Sequence, residues 1–108
     1  MPLGRLRVAG DSMAPTLLPG DRVLVWRGLG SRPPAVRPGD VVAVVDPREP
    51  DRIMVKRVAR LAGSEIFVEG DNAAASTDSR HFGPVGPNAL RGRVVYRYHP
   101  EERRGRLG

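Results

Sequence analysis

The amino-acid sequence predicts a mainly β domain, and three observations lead to that class. Five stretches are rich in β-branched and other apolar residues, and no segment shows a convincing helical period. Thirteen Gly and eleven Pro, without a repeat, indicate many tight turns between short strands. A length of 108 residues fits one domain, so residues 1–108 are predicted to fold as a single unit.

The predicted strands differ in their expected burial. Asp21–Arg27 alternates along its length, as a strand with two different faces does. Asp40–Asp46 is continuous and β-branched, which predicts burial on both faces. The other predicted strands are Arg52–Leu61, Glu65–Glu69 and Arg91–Tyr98.

Turns and loops separate these strands. The tripeptide Pro-Gly-Asp stands at residues 19–21 and 38–40, and it suits a type II turn in which Gly supplies the positive φ. Residues 28–37 and 70–90 are predicted loops, and the second carries a dense polar cluster that favours a functional role. The arginine-rich tail at residues 101–108 is predicted to be disordered.

Composition excludes several classes of protein. The chain has no cysteine, so a disulfide, a thiolate nucleophile and a thiolate metal site are all excluded. Its longest apolar run, residues 41–45, is far shorter than the ~20 residues of a membrane helix. Residues 1–11 lack the apolar core of a signal peptide. We therefore expect a soluble, cytoplasmic protein without a membrane span.

A first candidate site is the segment Gly10–Leu17, in which Ser12 follows Gly10 and Asp11 and precedes Pro15 by three positions. This arrangement predicts a serine in an exposed turn whose backbone N–H groups point toward a ligand. For this segment taken alone, an ordinary turn or helix cap is the more common explanation, since Ser is frequent in both.

A second candidate is Lys56, within the predicted strand Arg52–Leu61. Strand alternation places Met54, Lys56 and Val58 on one face, and this apolar setting lowers a lysine pKa. A base near neutral pH needs a fall from ~10.4 to about 7–8, which corresponds to roughly 4 kcal/mol. The alternative is a lysine whose stem packs while its ammonium group reaches water.

A third candidate is the polar cluster that begins at Gly70-Asp71-Asn72 and ends at Arg80. Asp78 and Arg80 are placed to pair, and a hydroxyl from Ser76 or Ser79 is placed to position an amine. A solvated polar loop remains the alternative.

The order and spacing of these three segments resemble the type I signal peptidase family. The resemblance rests on Ser-Met-x-Pro-Thr-Leu at 12–17, Lys-Arg at 56–57, and Gly-Asp-Asn…Ser-x-Asp-Ser-Arg at 70–80, followed by Phe-Gly-Pro-Val. It covers roughly residues 8–98. It implies a fold of antiparallel sheets around a substrate groove, with an extended precursor protein as the substrate.

The resemblance also implies roles. Ser12 would be the nucleophile and Lys56 its general base, while Ser76 orients the lysine amine and Asp78 and Arg80 brace the site. The oxyanion and substrate region would contain Gly10, Asp11, Met13 and Pro15. Some family members have a hydroxyl donor where this chain has Gly10. No metal or cofactor is implied.

Two biological roles are consistent with this resemblance. The chain is similar to the short peptidases thought to mature nickel superoxide dismutase by removing its N-terminal propeptide. Alternatively, it is the catalytic core of a general, membrane-anchored signal peptidase, which would make it membrane-associated.

Three other interpretations of the sequence have to be weighed against this one. A self-cleaving repressor domain would need a helix-turn-helix and a cleavage segment, and only eleven residues precede Ser12. A basic nucleic-acid module would suit the net charge of +6 but not the aromatic content of 5%, so no nucleic-acid partner is expected. The chain could also be an inactive relative of this family. For a histidine-based mechanism in place of Lys56, the alternative bases are His81 and His99.

Overall fold

The computed structural model describes residues 2–30 and 32–107, and within these ranges the chain is built mainly from strands. It forms seven strands, one short helix and three 3₁₀ turns in that described part. The strands are β1 Leu3–Arg7, β2 Arg22–Trp26, β3 Val41–Asp46, β4 Glu49–Ala62, β5 Glu65–Glu69, β6 Leu90–His99 and β7 Gly105–Arg106. The helix is α1 Ser79–Phe82, and the 3₁₀ turns are Ala73–Ala75, Pro87–Ala89 and Glu101–Arg103.

The described strands pair into one antiparallel sheet. Its order is β1-β2-β6-β3-β4-β5, with β7 beside β6. The predicted class, mainly β with antiparallel pairing, is therefore confirmed. The five predicted strands correspond to β2 through β6, whereas β1 and β7 were not predicted.

The sheet carries apolar packing on both faces. In the described part of the chain, one apolar cluster contains Val41 and Ala43 of β3, and a second contains Val42 and Val44. Alternate residues of β3 thus enter different clusters, which confirms that this strand is buried on both faces. The first cluster also holds Met13 and Leu17 of the β1–β2 loop, Val8, Val23, Val25 and Val94. The second also holds Met54, Val58, Ile66, Val68, Val85 and Leu90.

Both predicted Pro-Gly-Asp turns form. Their glycines have φ of +90° and +95°, values that favour glycine over residues with a Cβ. The Asp21 N–H donates to the Leu18 carbonyl at 3.0 Å, and the Asp40 N–H donates to the Arg37 carbonyl at 3.0 Å. In each turn the aspartate carboxylate also accepts a hydrogen bond from the N–H of the first turn residue, Leu18 or Arg37, at 2.9 Å. The aspartate therefore helps to close the turn that it ends.

The prediction of a disordered tail is wrong for residues 101–107. Glu101–Arg103 form a 3₁₀ turn, and β7 pairs with β6. Leu107 packs against the first apolar cluster, and Arg103 donates to the buried Asp21 carboxylate at 2.6 Å. Asp21 lies 82 positions away from Arg103 in the sequence, so the local composition of the tail did not indicate this partner. Among the described residues, no helix is long and apolar enough to cross a membrane.

Candidate active site

Ser12 lies in the loop between β1 and β2. Met13 and Leu17 of this loop belong to the first apolar cluster and anchor the loop to it. Met13 is 1% exposed and Leu17 is fully buried, and the Leu17 N–H donates to the Met13 carbonyl at 2.9 Å. Ser12 itself stays half-buried. Within residues 2–30 and 32–107, no atom accepts a hydrogen bond from the Ser12 N–H. This donor is therefore not used within the described part of the chain.

Lys56 is buried on the inner face of β4, where the alternation placed it. The residue is only 5% exposed, and Nζ donates to Ser76 Oγ at 2.9 Å. Burial lowers the lysine pKa, and Asp78 opposes that shift. Further lowering comes from the nearby guanidinium groups of Arg52, Arg48 and Arg80. The alternative of a lysine that extends into water is therefore wrong.

Asp78 organises the polar cluster around the lysine. Its side chain has no exposed surface and accepts from Ser76 Oγ at 2.6 Å and from the Gly70 N–H at 2.9 Å. Arg80 donates to both carboxylate oxygens, at 2.6 and 2.9 Å. Burial alone would raise the pKa of Asp78, but these hydrogen bonds outweigh it and hold the pKa well below its usual range.

The choice between Ser76 and Ser79 is settled by their hydrogen bonds. Ser79 Oγ accepts from the Val68 N–H at 2.8 Å and so tethers the start of α1 to β5. Ser76 donates to Asp78 and accepts from Lys56. It is therefore Ser76 that joins the lysine amine to the carboxylate.

The turn at residues 70–72 holds the serine loop. The Asn72 N–H donates to the Ser12 carbonyl at 2.8 Å, and Asn72 Nδ2 donates to the Asp11 carbonyl at 3.1 Å. Gly70 lies so close that a Cβ there would overlap both the Ser12 carbonyl oxygen and Ser76 Oγ. The backbone of Gly70 thus fills the gap between the two serines.

Three residues that the sequence reasoning left out of the site tie these segments together. Asp71 accepts from Thr16 Oγ1 at 2.6 Å, and from Nε and Nη2 of Arg57 at 2.8 Å each. Arg57 also donates from Nη1 to the Gly39 carbonyl at 2.7 Å. Thr16, Arg57 and Asp71 each lie inside one of the three motifs described above. Membership of a motif was therefore the sequence signal that could have identified them.

Ser12 and Lys56 open onto the same two adjoining clefts. One, of about 160 Å³, lies between residues 6–9 and residues 52–56. The other, of about 180 Å³, also includes Arg48, Arg52 and Thr77. No hydrogen bond joins the Ser12 and Lys56 side chains in the described structure. Catalytic hydrogen bonds are often formed fully only when substrate is bound.

The remaining predicted residues separate into two groups. Gly10 and Asp11 line the second cleft, and Met13 lines the first. Pro15 is exposed and lines neither cleft, so its place in the substrate or oxyanion region stays a prediction. His81 is 55% exposed and its Nδ1 accepts from the Asp78 N–H at 3.3 Å, while His99 ends β6. Neither histidine lines a cleft with Ser12.

No cluster of three or more carboxylate or imidazole groups suited to a metal ion occurs within the described ranges. The polar groups that line both clefts include Ser12, Arg52 and the buried Lys56 amine with its lowered pKa.

These side chains come from segments far apart in the sequence, and the sheet brings them to the same narrow clefts. The sequence matches the family described as signal peptidase, peptidase S26, over residues 2–69 and 64–99. The chain belongs to this peptidase family, which confirms the resemblance seen in its three motifs.

Its relatives include organellar proteases. The chain is 37% identical over 123 residues to mitochondrial ATP-independent inner membrane protease subunit 1a of Arabidopsis thaliana, covering 93% of this chain and 73% of that protein. It is 34% identical over 125 residues to mitochondrial inner membrane protease subunit 2 of Mus musculus, with 94% and 70% covered. For subunit 1 of Homo sapiens the identity is 30% over 117 residues, with 90% and 70% covered.

Proposed function

We propose that the chain is a serine endopeptidase with a Ser12–Lys56 dyad that removes an N-terminal presequence from a precursor protein. The observation that carries the proposal is the buried Lys56 amine, held by Ser76 at the clefts that Ser12 also lines. Membership in the signal peptidase family supports the same reaction class.

The hydrogen-bond directions around Ser76 are compatible with a neutral lysine as the base. The Ser76 hydroxyl proton is engaged by Asp78, so Ser76 accepts an N–H from Lys56. A neutral amine that donates one N–H in this way retains a lone pair that can be directed at Ser12. Burial, which lowers the Lys56 pKa, favours that neutral form.

The reaction then proceeds in two halves. Lys56 takes the Ser12 hydroxyl proton as Oγ bonds to the peptide carbonyl carbon, and the lysine returns that proton to the leaving amine as the C–N bond breaks. Water next attacks the acyl carbon and gives a proton to Lys56, and the lysine passes this proton to Ser12 Oγ as the acyl C–O bond breaks and the new carboxyl end leaves. No other group is consumed.

The developing oxyanion needs hydrogen-bond donors. The Ser12 N–H is one, since it has no acceptor among the described residues. Gly10 has a φ of +84°, a conformation that a serine would adopt only with strain. A side-chain donor at this position is therefore disfavoured, and a backbone group or water serves instead.

Two strand edges support an extended substrate. Among the described strands, β1 pairs with β2 alone, and residues 49–56 of β4 pair with β3 alone. These two unpaired edges flank the first cleft. A peptide that entered there could form main-chain hydrogen bonds with a strand and present its carbonyl to Ser12.

The relatives named as inner membrane proteases favour a membrane-associated site of action over the cytoplasmic prediction. Nickel superoxide dismutase as the substrate stays a prediction. The names of the relatives refer to the mitochondrial inner membrane and do not mention this substrate.

The test compares protein N-termini in cells that express the wild-type chain or the Ser12→Ala variant, with Ser64→Ala as a matched control in an exposed turn. Precursor termini should persist in Ser12→Ala and should mature normally in the control. A single affected protein would identify a dedicated maturation peptidase, and many exported proteins would identify a general signal peptidase. Identical termini in all three strains would overturn the proposal.

A further inference from the structure

A buried charge lies at the end of the loop that carries Ser12, directly before β2. Asp21 is 2% exposed, and its carboxylate accepts from the Leu18 N–H at 2.9 Å. Two arginines also donate to it, Arg103 at 2.6 Å and Arg97 at 3.3 Å. A carboxylate this deeply buried requires such partners, because an unpaired buried charge is strongly unfavourable.

Arg97 extends this cluster to the serine loop. Its Nη1 donates to the Thr16 carbonyl at 2.7 Å, four residues after Ser12. Its Nε donates to the Arg103 carbonyl. The tail thus contacts Arg97 directly through its backbone, and indirectly through the carboxylate that both arginines share.

Thr16 is held from two sides as a result. Its carbonyl accepts from Arg97, while its hydroxyl donates to Asp71, whose neighbour Asn72 binds the Ser12 carbonyl. A continuous chain of hydrogen bonds therefore runs from the tail through Arg97 to the loop that carries Ser12. We call Asp21, Arg97 and Arg103 the tail clamp.

We propose that Arg97 is a positioning residue for the nucleophile loop, and that Asp21 and Arg103 hold the Arg97 side chain in place. The proposal rests on the proposed function, since it assigns the serine loop a catalytic role. A planar guanidinium with several donors can bond Thr16, Asp21 and Arg103 together, which a lysine ammonium in the same place matches less well.

The effect of losing the clamp should appear in catalysis. Arg97→Met should lower kcat about tenfold or more, because small displacements of a reacting group are costly. KM and the pH midpoint should stay unchanged, since neither the substrate cleft nor Lys56 is touched. Arg97→Lys should recover part of the rate.

The tail should act through the same residue. Arg103→Met removes a partner of Asp21 and should lower kcat by a smaller factor than Arg97→Met. Arg104→Met is the matched control, because Arg104 is exposed and its side chain makes no hydrogen bond within the described residues. Rates are expressed per active site, titrated by the product burst from a slow ester substrate, so that unfolded molecules do not count.

Amide hydrogen exchange gives a readout independent of catalysis. The hydrogen-bonded amides of Ala14 and Leu17 in the serine loop should exchange faster in Arg97→Met and Arg103→Met, and at the wild-type rate in Arg104→Met. Unchanged exchange together with unchanged kcat per site would overturn the proposal. If instead Ser12→Ala retains activity, the dyad fails, while faster exchange in the two variants would still support the clamp.

Discussion

Arg57 and Asp71 form a two-point ion pair in which Nε and Nη2 lie 2.8 Å from the two carboxylate oxygens. Arg57 directly follows Lys56 in β4, and Asp71 directly precedes Asn72, which binds the serine loop. This one pair therefore couples the strand that carries the base to the turn that holds the nucleophile. Side chains in such bidentate pairs have little freedom to move apart.

Replacing Asp71 should therefore affect catalysis more than stability. Asp71→Asn keeps the shape but loses the charge, so Arg57 and Thr16 are held less firmly. For a partly exposed pair we expect a loss of about 1 kcal/mol or less in the free energy of unfolding. The rate should fall about tenfold. Thermal unfolding and steady-state kinetics measure the two effects. Asp51→Asn, at an exposed position, serves as control, and equal activity of the two variants would contradict the coupling.

Gly70→Ala should abolish activity. The added methyl group would meet the Ser12 carbonyl oxygen, which belongs to the backbone, and Ser76 Oγ at the same time. One of the two serines must then move from its place. Gly86→Ala is the control, because a Cβ at that position meets nothing within 4 Å. Cleavage of a presequence peptide by each purified variant decides the matter, and an active Gly70→Ala would show that the close packing is not needed.

Ser76→Ala should lower kcat by about 10²-fold and leave KM unchanged. The change removes the hydroxyl that accepts from Lys56 and donates to Asp78, so the amine loses its orientation. The loss should be smaller than that of Ser12→Ala, which removes the reacting atom. Kinetics at several substrate concentrations separate the two parameters. A fully active Ser76→Ala would exclude a role for this serine.

The pH dependence should follow the lysine. Lys56 is active when neutral, so the rate should rise with pH, with its midpoint below the ordinary lysine value of 10.5. Arg52 lowers the Lys56 pKa, so Arg52→Gln should move the midpoint to higher pH. Added salt should reduce that difference, because Arg52 is exposed. A rate that is already constant below pH 6 would rule out a lysine base.

Most of the sheet could be predicted from the sequence because its signals are local. The alternation around Lys56 placed Met54 and Val58 on its face, and the structure buries all three. In β1 the same signal was weak, because Gly4 occupies one of the buried positions of a short, arginine-bearing strand. A single residue without a side chain was enough to hide the period.

Long-range partners account for what the sequence reasoning missed. The pairing of Thr16 with Asp71 spans 55 positions, and that of Asp21 with Arg103 spans 82. Nothing local distinguishes Arg103 from its neighbours in a basic tail. The motifs predicted which residues matter chemically, but they could not indicate which distant carboxylate each arginine would find.

The separation between Asp21 and Arg103 has a consequence for the order in which the protein is made. A ribosome completes the serine loop first and adds residue 103 only 82 positions after residue 21. Until that residue has emerged, the clamp on the nucleophile loop is incomplete. The full set of contacts on the nucleophile loop can therefore form only after residue 103 has been made, late in the synthesis of the described chain.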